Sequence, residues 1–270
     1  MDRKTLRIKG FRPQKRLGQN FLISGKLAGE IADSASISGS DTVLEVGPGT
    51  GKLTSELTKR AKMVVAVEKD PKMVAILKES FKGKEGVRIV EGDILKTDVS
   101  NLKIKKYKLV GNIPFYLTSP LIRKFLEKED LIPEQMVLVV QKEVAQRICS
   151  QPPKMSLLSV SVQVYSEASI LFFIPKSSFW PEPEVDAAVI RISPKKEKLV
   201  SGLFRDSFFK IVKVGFSQPR KQLLNNFSKM LKLDKESTTE WLLKNGISPK
   251  QRAETLSVSD WLKLTKTLKG

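Results

Sequence analysis

From residue 42 onward, short apolar runs alternate with stretches of helical periodicity. Thr42–Val46, Met63–Val67, Val87–Val90, Lys108–Gly111 and Met136–Val140 read as buried strands, because each is a brief, nearly unbroken run of aliphatic residues. Between them, Leu53–Arg60, a stretch from Asp70-Pro71 to about Phe81, one from Ser119-Pro120 to about Glu127, and Lys142–Cys149 carry helical spacing. Asp70 supplies an N-cap and Pro71 a first-turn proline. This β-α-β-α order predicts an α/β fold with a parallel sheet covered on both faces. After residue 155 the texture changes. Ser159–Tyr165, Ile170–Ile174 and Val185–Ile192 read as further strands added antiparallel to that sheet. Pro194 to Lys198 is a charged break, beyond which Leu203–Val214, Arg220–Leu231, Thr238–Asn245 and Ser257–Leu268 have helical periodicity, with Asn245-Gly246 as a helix stop. The expected organisation is an arm over 1–26, an α/β domain over 27–194 and a small helical domain over 195–270.

Charge changes this picture by marking the two ends. The 270 residues carry 48 Lys+Arg and 29 Asp+Glu, a net charge of +19. Residues 1–26 hold +7 and residues 195–270 hold +10, leaving only +2 for the body between them. A nearly balanced body with basic ends suggests a module that meets a polyanion through its flanks, although solvated lysines give the same composition. The chain has no histidine and one cysteine, Cys149. That removes Ser-His-Asp hydrolysis, HExxH zinc chemistry, a histidine base, an internal disulfide and a CxxC cluster, and no metal site is expected. Such cysteine usage suits a reducing, cytoplasmic setting. No apolar run has the length of a membrane span, and the polar N-terminus lacks a signal-peptide core.

The candidate chemistry sits at the carboxyl ends of the expected strands. The string V-L-E-V-G-P-G-T-G-K-L-T puts a glycine-rich turn between the first strand and its helix, where backbone N–H groups can approach a ligand. A dinucleotide fingerprint would require glycine where Lys52 stands. Glu68 ends the second strand, 21 residues after Gly47, and can accept the hydroxyls of an unphosphorylated ribose. Asp93 follows the third strand and can accept from an adenine amine. Each feature alone reads equally as a structural turn or a solvated acid. Together they describe a nucleoside-binding rim without a pyrophosphate site, which suits S-adenosylmethionine. The fourth strand runs into Asn112-Ile113-Pro114-Phe115. An adenine amine is a poor nucleophile because its lone pair is delocalised into the ring. The Asn112 side-chain carbonyl and the Ile113 backbone carbonyl can accept its two N–H bonds, Pro114 fixes the turn, and Phe115 offers a stacking face. Positioning of this kind needs no histidine.

These strings resemble the small-subunit rRNA adenine dimethyltransferases of the KsgA type over nearly the whole chain. The similarity runs through K-R-L-G-Q-N-F-L (15–22), L-E-V-G-P-G-T-G (44–51), V-E-K-D (67–70), E-G-D-I (91–94) and G-N-I-P-F-Y-L-T-S-P-L (111–121). It continues through Q-K-E-V-A-Q-R (141–147), F-W-P-E-P-E-V-D-A-A-V (179–189) and G-I-S-P-K-Q-R-A-E-T-L-S (246–257). The resemblance implies a Rossmann-like S-adenosylmethionine-dependent methyltransferase fold with a small C-terminal helical domain. It implies that Asn20, Leu22, Gly47, Glu68, Asp93 and Asn112 contact the cofactor, and that Phe115 and Phe179 sandwich the target adenine. The implied product is dimethyladenosine at two adjacent adenosines in the 3′-terminal hairpin loop of 16S rRNA, made by a monomer acting on the immature small ribosomal subunit. Arg12, Lys15, Arg16, Arg220, Lys221 and Arg252 are the candidates for phosphate contact. Departures from the family pattern are Phe115 where tyrosine is commoner, Glu184 where a lysine commonly precedes V-D-S, Ala187 in place of that serine, and Pro219 inside a basic stretch. The rival readings are a large-subunit rRNA adenine methyltransferase of the macrolide-resistance type, a ribosome-assembly factor that no longer catalyses, and, less favoured, a nucleotide-dependent oxidoreductase.

Overall fold

In a computed structural model of the chain, the structure describes Pro13, residues 18–128 and residues 131–268. Arg12, Lys15 and Arg16 therefore lie outside the described residues, as does most of the expected arm. The chain divides into two compact units. One comprises the described residues up to Ala145 together with Ala168–Pro194; the other comprises Gln146–Glu167 and Lys195–Gly270.

The first unit is built on a seven-stranded sheet. Strands β2 (Thr42–Val46), β3 (Met63–Glu68), β4 (Val87–Glu91), β5 (Lys108–Asn112) and β6 (Met136–Gln141) are mutually parallel. β9 (Ala187–Pro194) runs antiparallel to β6, with β7 (Ser166–Ile174) at the edge, giving the order β4-β3-β2-β5-β6-β9-β7. β2 and β6 are apolar runs whose aliphatic side chains are essentially all buried, as a sheet covered on both faces demands. The order reverses between β3 and β5 about β2, so the crevice for a ligand lies at the carboxyl ends of these strands. Helix α1 (Gly25–Ser34) starts at Ser24, whose hydroxyl accepts from the Leu27 N–H, and buries Ala28, Ile31 and Ala32. Helix α2 (Lys52–Leu57) follows the glycine turn. Helix α3 (Pro71–Ser80) is capped by Asp70, which accepts from the Lys72 N–H as the Asp-Pro pair predicts. Helix α4 (Thr118–Arg123) differs from expectation. It begins one residue before Ser119 without a side-chain cap and passes into a π-helical turn, Lys124–Lys128. A separate ribbon pairs β1 (Phe21–Leu22) antiparallel with β8 (Phe179–Trp180), Leu22 opposite Phe179.

The second unit corrects two expectations. Residues 159–165 are not a strand, because Leu157–Gln163 forms a helix, here α6. The alternation of Ser and Val imitates a period of two. Ser156 overrides it with a capping box to Ser159, and the Val160 N–H donates to the Ser156 carbonyl at 3.0 Å. Helix α5 (Lys142–Ile148) lies just before this segment. The expected domain limits of 27–194 also change, since 146–167 packs with the C-terminal helices. The Met155 N–H donates to the Glu254 carbonyl and the Lys195 N–H to the Tyr165 carbonyl, both at 2.8 Å. The tail itself forms α7 (Gly202–Gly215), α8 (Leu223–Leu231), α9 (Lys235–Lys244) and α10 (Val258–Thr267). Gly246 stops α9 with φ of +74°, and Phe227, Trp241 and Trp261 stack edge-on in the core of this bundle. Among the described residues, no helix is long and apolar enough to cross a membrane.

Candidate functional site

One cavity opens along the carboxyl ends of β2, β3, β4 and β5, and each strand delivers a polar group to it. After β2, Gly47, Gly49 and Gly51 take φ values of +66°, +54° and +77°, a left-handed conformation that explains glycine at these positions. At Gly49 the approach is also close: a Cβ there would stand 2.8 Å from the ring of Phe21.

At the end of β3, Glu68 is only 8% exposed. Its carboxylate accepts three backbone N–H groups, from Gly49 at 3.2 Å and from Lys69 and Asp70 at 2.9 Å each. Burial pushes its pKa upward, while these N–H donors pull it back. An ionised carboxylate has about four acceptor sites. With one used to hold the glycine turn at Gly49 and two on the N–H groups of Lys69 and Asp70, one remains for a ligand hydroxyl. Beyond β4, Asp93 accepts the Leu95 N–H at 3.0 Å and pairs with the Lys69 ammonium at 2.9 Å. Burial opposes its ionisation, yet Lys69 and the Leu95 N–H outweigh burial and hold the carboxyl below its ordinary value.

At the end of β5, the Asn112 amide donates from Nδ2 to the Asn20 carbonyl at 2.9 Å. That bond orients the side chain, and Oδ1 accepts no hydrogen bond among the described residues. The segment 18–22 crosses the cavity and is held along its length. Gln19 donates to Asp70 at 3.1 Å, Phe21 lies on Gly49, and Leu22 enters the ribbon with Phe179.

The structure brings Asn20, Leu22, Gly47, Glu68, Asp93, Asn112 and Pro114 onto the wall of this one cavity. Ile113, Phe115 and Phe179 are not among the lining residues. Ile113 is buried, and Phe115 packs half-buried against the main core of this unit. Phe179 belongs to that core with 2% exposure, so in this conformation it offers no face for stacking. Its ring is consumed by the β1–β8 ribbon, a long-range pairing that local sequence does not announce. Conversely, Lys52, Lys69 and Tyr116 line the cavity and were not assigned from sequence. Tyr116 is 56% exposed and directly follows Phe115, so the aromatic face at the rim is one residue later than the motif suggested. Glu45, beneath the glycine turn on β2, is fully buried with neither oxygen hydrogen-bonded, and burial raises its carboxyl to about 8.

Residues 10–269 match the family model described as ribosomal RNA adenine dimethylase. The chain belongs to the ribosomal RNA adenine dimethylase family. It is 44% identical over 252 residues to the ribosomal RNA small subunit methyltransferase A of Dehalococcoides mccartyi, covering 93% of this chain and 86% of that one. With the enzyme of the same name from Moorella thermoacetica it shares 37% identity over 275 residues, 97% and 95% of the two chains. Among solved structures, a dimethyladenosine transferase from Plasmodium falciparum superposes with a TM-score of 0.74 at 27% identity, over 90% of this chain and 95% of that one. The 23S rRNA methyltransferase ErmE superposes equally well, TM-score 0.74 at 26% identity over 92% and 98%. The family places the chain among the S-adenosylmethionine-dependent rRNA adenine methyltransferases with a Rossmann-like α/β sheet. The polar groups of the cavity fit that cofactor: an acceptor site left on Glu68 for ribose, Asp93 for the adenine amine, and a glycine turn open to close approach.

Proposed function

We propose that this chain transfers four methyl groups to two adjacent adenosines in the 3′-terminal hairpin loop of 16S rRNA, acting as a cytoplasmic monomer on the immature small subunit. The observation that carries the reading is the Asn112 amide, anchored through Nδ2 and unpaired at Oδ1, at the end of the row of cofactor-binding groups. Bound S-adenosylmethionine supplies an electrophilic methyl group on a positively charged sulfur.

The residues of this chain do the positioning. Asn112 Oδ1 and the Ile113 carbonyl accept the two N–H bonds of the adenine amine, which favours the pyramidal nitrogen whose lone pair attacks. Pro114 fixes the turn that holds these two acceptors at one edge. Tyr116 offers the exposed ring at the rim; Phe115 and Phe179 complete a stacking site once the β1–β8 ribbon shifts to uncover them. After transfer, the nitrogen loses a proton to water, so the lack of histidine is no obstacle.

Loop adenosines cost less to extrude than paired ones, which suits a site reading a splayed base. The exposed cations Arg220, Lys221 and Arg252 of the second unit, with Arg12, Lys15 and Arg16, hold phosphates and set register. The higher identity to small-subunit enzymes favours this RNA over the large-subunit one. Binding of the small-subunit hairpin by the full chain should fall about a thousandfold between ~50 and ~200 mM salt. It should also outcompete a large-subunit RNA fragment. A flat salt response, or preference for the large-subunit fragment, overturns the proposal.

A further inference from the structure

The turn that carries Asn112 also seats the start of the crossing segment. Asn112-Ile113-Pro114 leaves β5 and tightens into a 3₁₀ turn, Phe115–Leu117, closed by the Leu117 N–H on the Pro114 carbonyl at 2.8 Å. Such a turn has three residues per revolution, so its three side chains point in three directions. Leu117 is buried and Phe115 packs half-buried on the core, which leaves Tyr116 facing outward at the cavity rim. Its ring meets Gly18. The φ of Gly18 is +58°, and a Cβ there would stand 3.2 Å from Tyr116 Cδ1 and 3.3 Å from Pro114 Cβ. Glycine is called for on two counts, its left-handed backbone and the ring and proline crowded against it.

Two residues further on, the same turn holds the segment again. The Asn20 carbonyl accepts from Asn112 Nδ2 at 2.9 Å, and the Asn20 side-chain amide donates back to the Gly18 carbonyl at 3.4 Å. Residues 18–20 are thus gripped at one end by Pro114 and Tyr116 and at the other by Asn112. The grip bears on the chemistry because a carboxamide has one donor side and one acceptor side. While the Asn20 carbonyl stays in place, Nδ2 is engaged and Oδ1 is turned away from it. If that carbonyl moves, the amide is free to rotate and to set its N–H₂ against an incoming amine, donor against donor.

We infer that Gly18 and Tyr116 are positioning residues that hold the Asn20 carbonyl in place, so that Asn112 keeps its acceptor oxygen toward the target amine. The inference deepens the methyl-transfer reading above and rests on it. Tyr116 then has two duties, one side of its ring seating Gly18 and the other offering a face to the base.

A double-mutant cycle tests this, read by single-turnover transfer of labelled methyl from the full chain to undermethylated small subunits at saturating RNA and cofactor. Gly18→Ala crowds the ring and strains the backbone while leaving Tyr116 and Asn112 in the chain. It should slow transfer about tenfold to a hundredfold, the scale of a misplaced reacting group, with subunit affinity unchanged. Added to Asn112→Ala, the same substitution should cost nothing further, because the residue it acts through is gone. Tyr116→Phe keeps the ring against Gly18 and should transfer at the normal rate. Tyr116→Ala, at an exposed rim position, should repeat both results of Gly18→Ala, with loss of its outer face showing in subunit affinity. Equal slowing in the presence and absence of Asn112 overturns the inference, since Gly18 and Tyr116 would then act by another route. Transfer at the normal rate by Gly18→Ala overturns it as well. An unmodified chain that transfers no methyl group would instead strike at the functional reading.

Discussion

Replacing Asn112 with alanine separates what its two ends do. The Nδ2 end makes one neutral hydrogen bond, to the Asn20 carbonyl at 2.9 Å. Such a bond contributes about 1 kcal/mol to stability, so melting should drop by only about 2–4 °C. The Oδ1 end has no partner among the described residues and, in the proposed mechanism, accepts from the incoming amine. Removing one preorganised hydrogen-bonding group from a reacting centre costs about 10²–10³ in rate, or about 3–4 kcal/mol at ~1.4 kcal/mol per factor of ten. The catalytic loss should therefore exceed the structural loss about threefold in free energy. Single-turnover transfer of labelled methyl at saturating RNA and cofactor measures the first, and thermal melting the second. Titration with S-adenosylhomocysteine shows whether the cofactor site persists, and binding within about tenfold of normal is the expected result. Asn112→Asp keeps an acceptor but sets a carboxylate against the Asn20 carbonyl, so it should loosen the crossing segment and weaken cofactor binding more than alanine does. An alanine variant that transfers methyl within about threefold of the normal rate, melting a few degrees lower, would refute the positioning mechanism.

Two further substitutions address the neighbouring carboxyls. Glu68→Gln keeps a carbonyl oxygen for the Lys69 and Asp70 N–H groups but turns its N–H₂ toward the Gly49 N–H donor and removes the ribose acceptor. Cofactor affinity should fall about tenfold to a hundredfold while the maximal rate at saturation changes little; a reduced maximal rate with unchanged affinity contradicts that assignment. Glu45 acts on stability through pH. Burial raises its folded carboxyl to about 8 from an ordinary 4.5, so the folded protein keeps a proton that the unfolded chain releases between those values. Stability should then fall as pH rises from 4.5 to about 8, by up to about 1.4 kcal/mol per pH unit, and level off above. Glu45→Gln should match the unmodified protein near pH 4.5, exceed its stability at pH 9, and lack the slope. Parallel denaturation curves across that range would show that Glu45 ionises in the fold.

The polar residues that line the cavity were legible because they sit at or just beyond strand ends. A buried parallel strand advertises itself as an apolar run, and the first polar residue after it marks the crevice. Glu68 and Asn112 follow that rule, and Asp93 stands three residues past its run, after Glu91 and Gly92. Asp70-Pro71 likewise announces α3 locally, and the structure places the cap on Asp70. What escaped depends on a local cap that overrides the pattern and on contacts distant in sequence. The Ser-Val alternation over 159–163 carries no sign of the capping box that makes it helical, nor of the bonds to Glu254 and Lys195 that draw 146–167 into the second unit. Phe179 is implied by the resemblance as a stacking ring, and the pairing of β8 with β1, which buries it, is not written in the local sequence. Lys52 was informative only as the residue that excludes a dinucleotide. Its place beside Ile23 depends on the path of a segment that secondary-structure periodicity does not set.

Methylation of small subunits isolated in an undermethylated state tests the function most directly. The subunits would be incubated with the full chain and labelled S-adenosylmethionine, then digested for nucleoside mass analysis and mapping of the modified positions. The expected product is dimethyladenosine at two adjacent adenosines of the 3′-terminal hairpin, four methyl groups in all, with large-subunit RNA left unlabelled. Label confined to large-subunit RNA, or absent from adenine, would contradict it.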